Sequence, residues 1–544
     1  MDDPPDLEVL IAGAGPVGLS LALELQRFGI RFRIVEKKAE RSTTSKALGL
    51  QPRLSEVFSI LGIGDQFFAR GFDGVRALNL RSGAKKLLTI KLQFPPNLAG
   101  RDACQPRLIM IPQSETEEIL ETALAERGHL VERQRELVGF SQDRDSVSAV
   151  VRPEGGVEET IRAKFLVGCE GAHSVVRKQA GFTFAGATFP LRTLLADVSI
   201  DWDLPANEVH AWFHRDGGFA ALPFGEQRWR LVAECPEEPG ARALDVTLEQ
   251  MQDLLVQRTG QKDVRLRDPL WLSDFRINAR MVDRFRVGRV FVAGDAAHIH
   301  SPAGGQGIAT GIQDAANLAW KLAASLREGA PDSLLDTYDE ERKPIAREVL
   351  QRTSAVTSII FALNPVAGFV RERLLVPVMR RRFVQRRMFA KLSQLEMNYR
   401  GRSLSAHSGG MFSPVRVRAG DRTPDVVFEK AGEKESLFQL LGRWGLLALL
   451  GSGEHAGEIA GKLATLHIPA FIVSSSGAEA PGGENLKDIY GDFARLYGAR
   501  GPFLYLIRPD GHVGLFQSRM EPRSLAAYLR KIRAPDAVEK SFVS

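Results

Sequence analysis

The stretch LEVLIAGAGPVGLSLALELQRFGIRFRIVEK, residues 7–37, reads as a β-strand, a glycine turn, a helix and a second strand. Within it Gly13, Gly15 and Gly18 form the pattern G-x-G-x-x-G. The first glycine permits a tight turn, the second lets the backbone approach a pyrophosphate, and the third lets the helix pack on the strand. Glu36 ends the second strand, where an acid can accept hydrogen bonds from an adenosine ribose. The stretch therefore predicts a dinucleotide-binding βαβ unit, with FAD and NAD(P) both open.

Two further segments combine a strand with a glycine turn. AKFLVGCEGAHSVVRKQAGF, residues 163–182, places Glu170 between two glycines. GRVFVAGDAAH, residues 288–298, reads as a buried strand that ends in Asp295 and leads through a glycine-rich loop into a helix. Three glycines of that loop leave backbone N–H groups free at the helix start, which predicts a nest for an anion or a carbonyl oxygen. They are Gly304, Gly305 and Gly307.

Asp295, His298 and His300 lie within six positions of each other, which raises the possibility of a metal site. A metal would need further ligands at workable spacing, and the sequence offers none. The family resemblance given below implies that no metal binds here and that the two histidines are loop or packing residues.

Composition bounds the class of protein. With 44% hydrophobic and 25% charged residues, the 544-residue chain is typical of a soluble globular protein of several domains. The net charge of +6 comes from 72 basic residues scattered among 66 acidic ones, which favours a mixed surface over nucleic-acid binding. No apolar run approaches the ~20 residues of a membrane span, and the acidic N-terminus does not resemble a signal peptide. The three cysteines, widely spaced and without a CxxC motif, fit a reducing cytoplasm.

Three segments, GAGPVG, GCEGAHSVVR and GDAAHIHSPAGGQG, resemble in this order the FAD-dependent aromatic hydroxylases, the single-component flavoprotein monooxygenases typified by para-hydroxybenzoate hydroxylase. TSKALGLQPRLSEVFSILGIG, IPQSETEEIL, YDEERKPIA and AGDRTPDV resemble the larger phenol and polyketide hydroxylases of that family. The resemblance covers nearly the whole chain. It implies FAD as cofactor, NADPH or NADH and O₂ as co-substrates, and hydroxylation of a phenolic or polycyclic aromatic compound through a flavin C4a-hydroperoxide.

The resemblance also implies an α/β fold with three parts. A Rossmann-like FAD-binding domain of the glutathione-reductase type is expected over 1–181 and 276–400, the second part with a helical segment. An antiparallel β-sheet substrate domain is inserted at 182–275, and a thioredoxin-like domain follows at 401–544. Because the last cysteine is Cys235, the last domain cannot exchange a dithiol, and we expect it to serve structure or homodimer contacts.

By the same resemblance, Asp295 would hold the ribityl chain of FAD, and the loop from Pro302 to Gly307 would cradle the isoalloxazine ring. Glu170 stands where the family usually has aspartate beside glycine, which would alter binding of the nicotinamide nucleotide. Ala309 stands where asparagine is common. The cofactor-binding residues so implied are Gly13, Ala14, Gly15, Pro16, Val17, Gly18, Glu36, Lys37, Lys46, Gln113, Val138, Glu170, Asp295, Pro302, Gly305, Gln306, Gly307 and Ile308.

Period-2 stretches between the FAD elements indicate antiparallel strands that would form the substrate wall. Four aromatic residues are candidates for an apolar pocket, with plain core packing as the other interpretation. His210 and His214 are predicted on one face of one strand, where either could take a phenol proton or be a hydrogen-bonded structural residue. The aromatic candidates are Trp212, Phe213, Phe219 and Phe224.

Three other classes of protein can be compared with the sequence by the features that each would require. A flavin-dependent halogenase would carry a W-x-W-x-I signature, which this sequence lacks. A plain NAD(P)-dependent dehydrogenase would not explain the GDAAH segment. A flavoprotein that sequesters an aromatic compound stays open, and it would bind its ligand without consuming NAD(P)H.

Overall fold

The chain folds around three large β-sheets with helices packed on their faces, as the sequence predicts for an α/β protein. Lys46, one of the expected cofactor residues, lies outside the residues that the structure describes. The computed structural model describes residues 7–42, 47–92, 105–225, 227–236, 245–302, 304–360, 373–374, 376–409, 415–453, 455–474 and 484–543.

The first sheet contains the predicted βαβ unit. Leu7–Ala12 pairs in parallel with Phe32–Glu36 on one side and with Glu159–Gly168 on the other. Helix Pro16–Arg27 connects the first two strands and packs beside helix Gly307–Arg327. The strands lie in the order Arg286–Val287, Val290–Val292, Glu159–Gly168, Leu7–Ala12, Phe32–Glu36 and Glu132–Arg133, and Arg135–Gln142 and Val147–Pro153 extend the sheet from Glu159–Gly168.

The second sheet is mostly antiparallel and contains the strands for which the sequence predicts a substrate wall. It extends beyond the expected range 182–275, because the hairpin of Ala77–Ser82 and Lys85–Lys91 adds two strands at one edge. Period-2 patterns indicate strands but not distant partners, so the sequence did not place this hairpin. The strands lie in the order His298–Ile299, Leu266–Val282, Phe184–Ile200, Arg228–Pro236, Phe219–Pro223, Glu208–Trp212, Ala77–Ser82 and Lys85–Lys91.

The two faces of the second sheet have different neighbours. Helix Leu248–Thr259 packs with one face, which carries the buried rings of Trp212 and Phe219; we call it the outer face. On the opposite face Leu222 packs with Leu48 of the FAD-binding part; we call it the inner face. The inner face is therefore the one turned toward the predicted cofactor site.

The third sheet forms the C-terminal part. Leu447–Gly451 pairs in parallel with Ala470–Ser474 and antiparallel with Leu504–Ile507, which pairs with Val513–Gln517. This mixed pattern agrees with the expected thioredoxin-like arrangement. The strands lie in the order Ala406–Ser408, Val513–Gln517, Leu504–Ile507, Leu447–Gly451, Ala470–Ser474, Glu484–Lys487, Val427–Lys430 and Glu433–Ser436.

Helices complete the architecture, and none in the described part of the chain has the length and apolar character needed to cross a bilayer. The helices are Pro16–Arg27, Pro52–Ile60, Gly64–Arg70, Gln113–Glu126, Val175–Gln179, Leu248–Thr259, Gly307–Arg327, Ser333–Ile360, Val376–Met379, Arg382–Leu392, Leu437–Trp444, Ala456–Ala464, Asp492–Tyr497, Pro522–Leu529 and Pro535–Val543. A two-stranded ladder pairs Gly49–Leu50 with Ile109–Met110.

A buried network of charged side chains joins the third sheet to the FAD-binding part; we call it the interdomain clamp. Arg508 donates to both carboxylate oxygens of Glu341, at 2.6 and 2.9 Å, and to Asp510 at 2.6 Å. Lys321 donates to Glu341 at 2.7 Å, and Asn317 donates to Asp510 at 3.0 Å. These five side chains are almost fully buried, so the charges balance one another away from water.

Candidate cofactor and substrate site

The three glycines of the first turn differ in the space around them. Gly13 has φ +98°, and a Cβ on it would lie 2.7 Å from the carbonyl oxygen of Cys169. A Cβ on Gly18 would lie 2.0 Å from the carbonyl oxygen of Gly13, so only glycine lets the helix approach so closely. A Cβ on Gly15 would meet no atom of the described chain within 4 Å. Gly15 therefore opens onto free space at the start of helix Pro16–Arg27, where a pyrophosphate fits.

The third glycine segment contacts this same turn. Gly294 has φ +61°, and a Cβ on it would lie 2.7 Å from the side chain of Val17. Gly311 in helix Gly307–Arg327 approaches the same side chain, since its Cβ would lie 2.7 Å from Val17 and 3.0 Å from the Cα of Gly294. The three segments, far apart in sequence, thus meet at the carboxyl ends of the parallel strands, where nucleotides bind in α/β folds.

Glu36 stands beside the glycine turn. Its Oε2 accepts a hydrogen bond from the backbone N–H of Ala14 at 2.9 Å, and its Oε1 accepts from the N–H of Lys38 at 3.0 Å. Lys37 is exposed. The half-buried carboxylate is thereby fixed at the strand end, in the position expected for a ribose ligand.

Glu170 is engaged by its own loop. Its Oε2 accepts from the hydroxyl of Ser174 at 2.7 Å, and its Oε1 accepts from the N–H groups of Val175 and Val176 at 3.1 and 3.0 Å. Burial raises the pKa of Glu170, and these hydrogen bonds oppose the rise without cancelling it. The longer acid therefore caps the short helix that follows.

Arg177 ties the second glycine segment to the third. Its guanidinium donates to the carbonyl oxygens of Ala172 at 2.7 Å and of Ala296 at 3.2 Å, and it stacks 3.9 Å from the ring centroid of Phe184. Asp295, beside Ala296, is exposed. The link holds the Asp295 turn in register with the Glu170 loop.

The loop before helix Gly307–Arg327 forms the predicted nest. Gly304 and Gly305 have φ of +84° and +59°, and the N–H of Gly305 donates to the carbonyl oxygen of Pro302 at 2.9 Å. Gln51 donates to the carbonyl oxygen of Gly304 at 2.8 Å. Among the described residues no side chain caps this helix, so its first N–H groups remain available to a ligand.

Buried polar atoms at the nest lack a hydrogen-bond partner among the described residues. A flavin fits the nest if its polar atoms can supply those missing partners. Gln306 is 1% exposed; Arg352 donates to its Oε1, but its Nε2 has no acceptor. Both ring nitrogens of His300 are buried without a partner. Burial lowers the pKa of His300 well below its usual value, so the ring is neutral. Donors and acceptors in this arrangement suit the polar edge of an isoalloxazine ring.

His298 belongs to a buried hydrogen-bond network. Its Nε2 lies 2.6 Å from Oδ2 of Asp314, and Arg342 donates to Oδ1 of Asp314 at 2.7 Å and to Tyr399 at 2.9 Å. Burial alone would raise the pKa of Asp314, but the charges of His298 and Arg342 hold it below its usual value. No group of three or more potential ligand side chains in the described ranges is placed to hold a metal. His298 therefore braces the helix that carries the nest.

Three further residues expected at the cofactor are Val138, Gln113 and Ile308. Val138 occupies a β-bulge of strand Arg135–Gln142, and its carbonyl accepts from Gln179 at 2.9 Å. Gln113 begins helix Gln113–Glu126 and donates to Glu117 at 2.8 Å. Ile308, in the first turn of its helix, is half-buried, whereas Ala309 packs into the core.

The structure divides the aromatic pocket candidates between the two faces of the second sheet. Trp212 and Phe219 are buried on the outer face. They therefore pack in the core there instead of lining a pocket on the inner face. Phe224 lies half-buried on the inner face beside Leu222, and Phe213 packs with the inner-face cluster around Leu80.

The two candidate histidines do not lie on one face of one strand, so the prediction that they do is wrong. Strand Glu208–Trp212 ends before His214, whose Nδ1 accepts from the N–H of Asp216 at 3.2 Å in the following turn. His210 is fully buried on the outer face, and burial lowers its pKa to about 4. Neutral and remote from the nest, His210 has the structural role that was the alternative interpretation.

Several residues of the site escaped the sequence reasoning. Gln51, Arg177 and Arg352 act through loops and helices distant in sequence, and no local pattern marks them. Glu234 and Thr193 lie on the inner face of the second sheet, and only the interruption of an apolar strand by an acid could have indicated the first.

Comparisons with known proteins agree with this geometry. The model of the family described as "FAD binding domain" matches residues 6–353. A flavin-dependent monooxygenase of Mycobacteroides abscessus is 37% identical over 541 residues, covering 97% of this chain and 100% of the relative. The structure of anhydrotetracycline hydroxylase from Streptomyces rimosus superposes with a TM-score of 0.76 at 30% identity, covering 97% of this chain and 99% of the other.

A ternary complex of aklavinone-11 hydroxylase with FAD and aklavinone also superposes, with a TM-score of 0.76 at 26% identity over 100% of both chains. The glycine cradle, the unpartnered polar atoms of the nest and these relatives all point to the same cofactor. The chain belongs to the FAD-dependent aromatic monooxygenases.

Proposed function

We propose that the protein uses NADPH or NADH and O₂ to hydroxylate a phenolic or polycyclic aromatic compound, acting in the cytoplasm. The observation that carries the proposal is the convergence of the three glycine segments at one end of the first sheet, where Gly13 meets Cys169 and Gly294 meets Val17. Relatives that hydroxylate anhydrotetracycline and bind aklavinone support a polycyclic substrate.

FAD, when bound, supplies hydride acceptance from the nicotinamide nucleotide and oxygen transfer to the aromatic ring. The protein holds and tunes it. The N-terminus of helix Gly307–Arg327 favours negative charge on the reduced ring by roughly 0.3–1 kcal/mol or more. The neutral His300 and the amide of Gln306 offer hydrogen bonds without adding charge.

Water must be kept from the reacting centre, because water favours release of hydrogen peroxide over oxygen transfer. Leu222, Phe224 and Val209 of the inner face pack with Leu48 and Met110 of the FAD-binding part. This apolar seam closes one side of the space between the two sheets. We propose that the aromatic ring of the substrate lies against the inner face.

The proposal is tested by measuring NADPH and NADH consumption and product mass with purified, FAD-loaded protein on a panel from simple phenols to polycyclic quinones. We expect one compound to speed nucleotide oxidation and to gain a single oxygen atom. A compound that binds without oxidation of either nucleotide would instead favour a sequestering flavoprotein. Reactions without O₂ and without enzyme are the controls.

A further inference from the structure

Two polar side chains on the inner face of the second sheet have no role in the function proposed above. Glu234 and Thr193 are directly paired across neighbouring antiparallel strands, so their side chains lie side by side. Ala233 and Cys235, on either side of Glu234, contribute to the outer-face core. Since successive side chains alternate, Glu234 and Thr193 point to the inner face.

Both side chains carry a buried oxygen without a partner in the described part of the chain. Thr193 is 0% exposed and its Oγ1 has no hydrogen-bond partner; Glu234 is 7% exposed and its Oε2 has none. Buried polar atoms in proteins are nearly always satisfied, and an exception needs an explanation. A ligand that completes the hydrogen bonds is such an explanation at a face turned toward the cofactor.

In the described part of the chain, no oppositely charged side chain compensates Glu234. Arg230, on the same face, is occupied by Asp197, with two hydrogen bonds of 2.7 Å each. Arg192 lies opposite Cys235, on the outer side, and pairs with Asp274. Burial, with no opposing charge, raises the pKa of Glu234 to about 9, so at neutral pH the group is a carboxylic acid that both donates and accepts.

We propose that Glu234 and Thr193 bind an uncharged hydroxyl or carbonyl group of the aromatic substrate and make the site select against aromatic carboxylates. The inference rests on the proposed function and narrows its substrate class. Leu195 and Val232, paired beside them on the same face, supply apolar contact for the ring. A carboxylate placed here would be desolvated without a cation, whereas a hydroxyl or carbonyl would find both a donor and an acceptor.

The test compares two probes that share a ring system, 1-hydroxyanthraquinone and anthraquinone-1-carboxylate, by calorimetric titration of the FAD-loaded oxidised protein at neutral pH. We expect the wild type to bind the hydroxyl probe roughly tenfold more tightly or better. Glu234→Ala should abolish that preference, Glu234→Gln should largely keep it because an amide still donates and accepts, and Thr193→Val should weaken it. Glu249→Ala, exposed on helix Leu248–Thr259, is the matched control.

Equal binding of the two probes by the wild type, no binding of either, or an unchanged preference in Glu234→Ala would overturn the inference. Infrared difference spectra supply a second readout: the carbonyl band of a protonated carboxyl group should shift on binding of the hydroxyl probe and be missing in Glu234→Gln. A band that does not respond to the probe argues against contact. Because neither measurement needs turnover, selective binding without nucleotide oxidation would reject the proposed function alone.

Discussion

Asp295 and Glu170 both follow a glycine segment at the end of a parallel strand, yet their surroundings differ. Asp295 is exposed, whereas Glu170 accepts hydrogen bonds from Ser174 and Val175 of its own loop. Asp295 follows the strand end where the glycine segments meet, so we propose that it reaches a bound cofactor, whereas Glu170 supports its own loop.

Asp295→Ala should lose FAD while remaining folded. Removing charge-assisted hydrogen bonds to the ribityl chain should weaken FAD binding roughly tenfold or more. The ratio of flavin to protein absorbance after purification, read beside a circular dichroism spectrum, checks this. Asp201→Ala, at an exposed aspartate just after strand Phe184–Ile200, is the control. A yellow, fully loaded Asp295 variant would contradict the assignment.

At this scale the sequence predicted residues whose roles follow from short spacing. Gly13, Gly18 and Glu36 act within one βαβ unit, so their order along the chain determines their positions. Glu234 could not be assigned in this way, because alternation says which residues share a face but not which face meets the cofactor. Thr193 carries no local signal at all.

Among the elements, helix Gly307–Arg327 carries the nest and packs against helix Pro16–Arg27 through Gly311. The sequence predicted both helices from their apolar periodicity, and the structure confirms them. The sequence wrongly predicted His214 in the strand, which ends at Trp212. The turn that follows depends on a close contact between Gly217, with φ +124°, and the backbone of Glu234, and no local sequence pattern indicates that contact.

Gly311→Ala should destabilise the fold and reduce FAD content together. Its new methyl group would lie 2.7 Å from the side chain of Val17 and 3.0 Å from the Cα of Gly294, closer than van der Waals contact. Such overpacking typically costs about 1–3 kcal/mol. Urea unfolding and flavin content measure the two effects. Gly461→Ala, in helix Ala456–Ala464, is the matched control.

A Cβ at position 461 would meet no described atom within 4 Å. The control should therefore be neutral or stabilising by up to about 1 kcal/mol, since alanine favours a helix interior. If both alanine variants unfold alike, close packing of the two helices is not what Gly311 serves.

On the scale of the whole molecule, the interdomain clamp decides how the C-terminal part is held. Its charges come from two helices of the FAD-binding part and from the turn between two strands of the third sheet. The sequence predicted the three parts and the lack of a C-terminal thiol, but it could not predict the clamp, because Arg508 and Glu341 are 167 positions apart.

Arg508→Met should leave Glu341 and Asp510 buried without their shared cation. Breaking one partner of a buried ion pair typically costs about 3–5 kcal/mol. The loss should appear in urea unfolding followed by tryptophan fluorescence, whereas Arg519→Ala, at an exposed arginine of the same part, should change stability little. An Arg508 variant as stable as the wild type would show that the clamp contributes nothing to stability.

Acid should weaken the same clamp. Burial raises the pKa of Glu341, but the charges of Arg508 and Lys321 outweigh it and lower the pKa from 4.5 to about 2. A depressed carboxyl pKa stabilises the fold above the unfolded value and loses that contribution as pH falls from about 4.5 toward 2. Thermal unfolding between neutral and acidic pH should therefore show a shallower dependence in Glu341→Gln than in the wild type.

The position of Arg508 along the chain has a consequence for biosynthesis. Glu341 and Lys321 leave the ribosome well before Arg508, so the two helices that carry them await a residue made 167 positions after Glu341. Nascent chains that stop short of it hold Glu341 with Lys321 alone. We therefore expect flavin loading to lag behind translation of the FAD-binding part and to follow synthesis of Arg508.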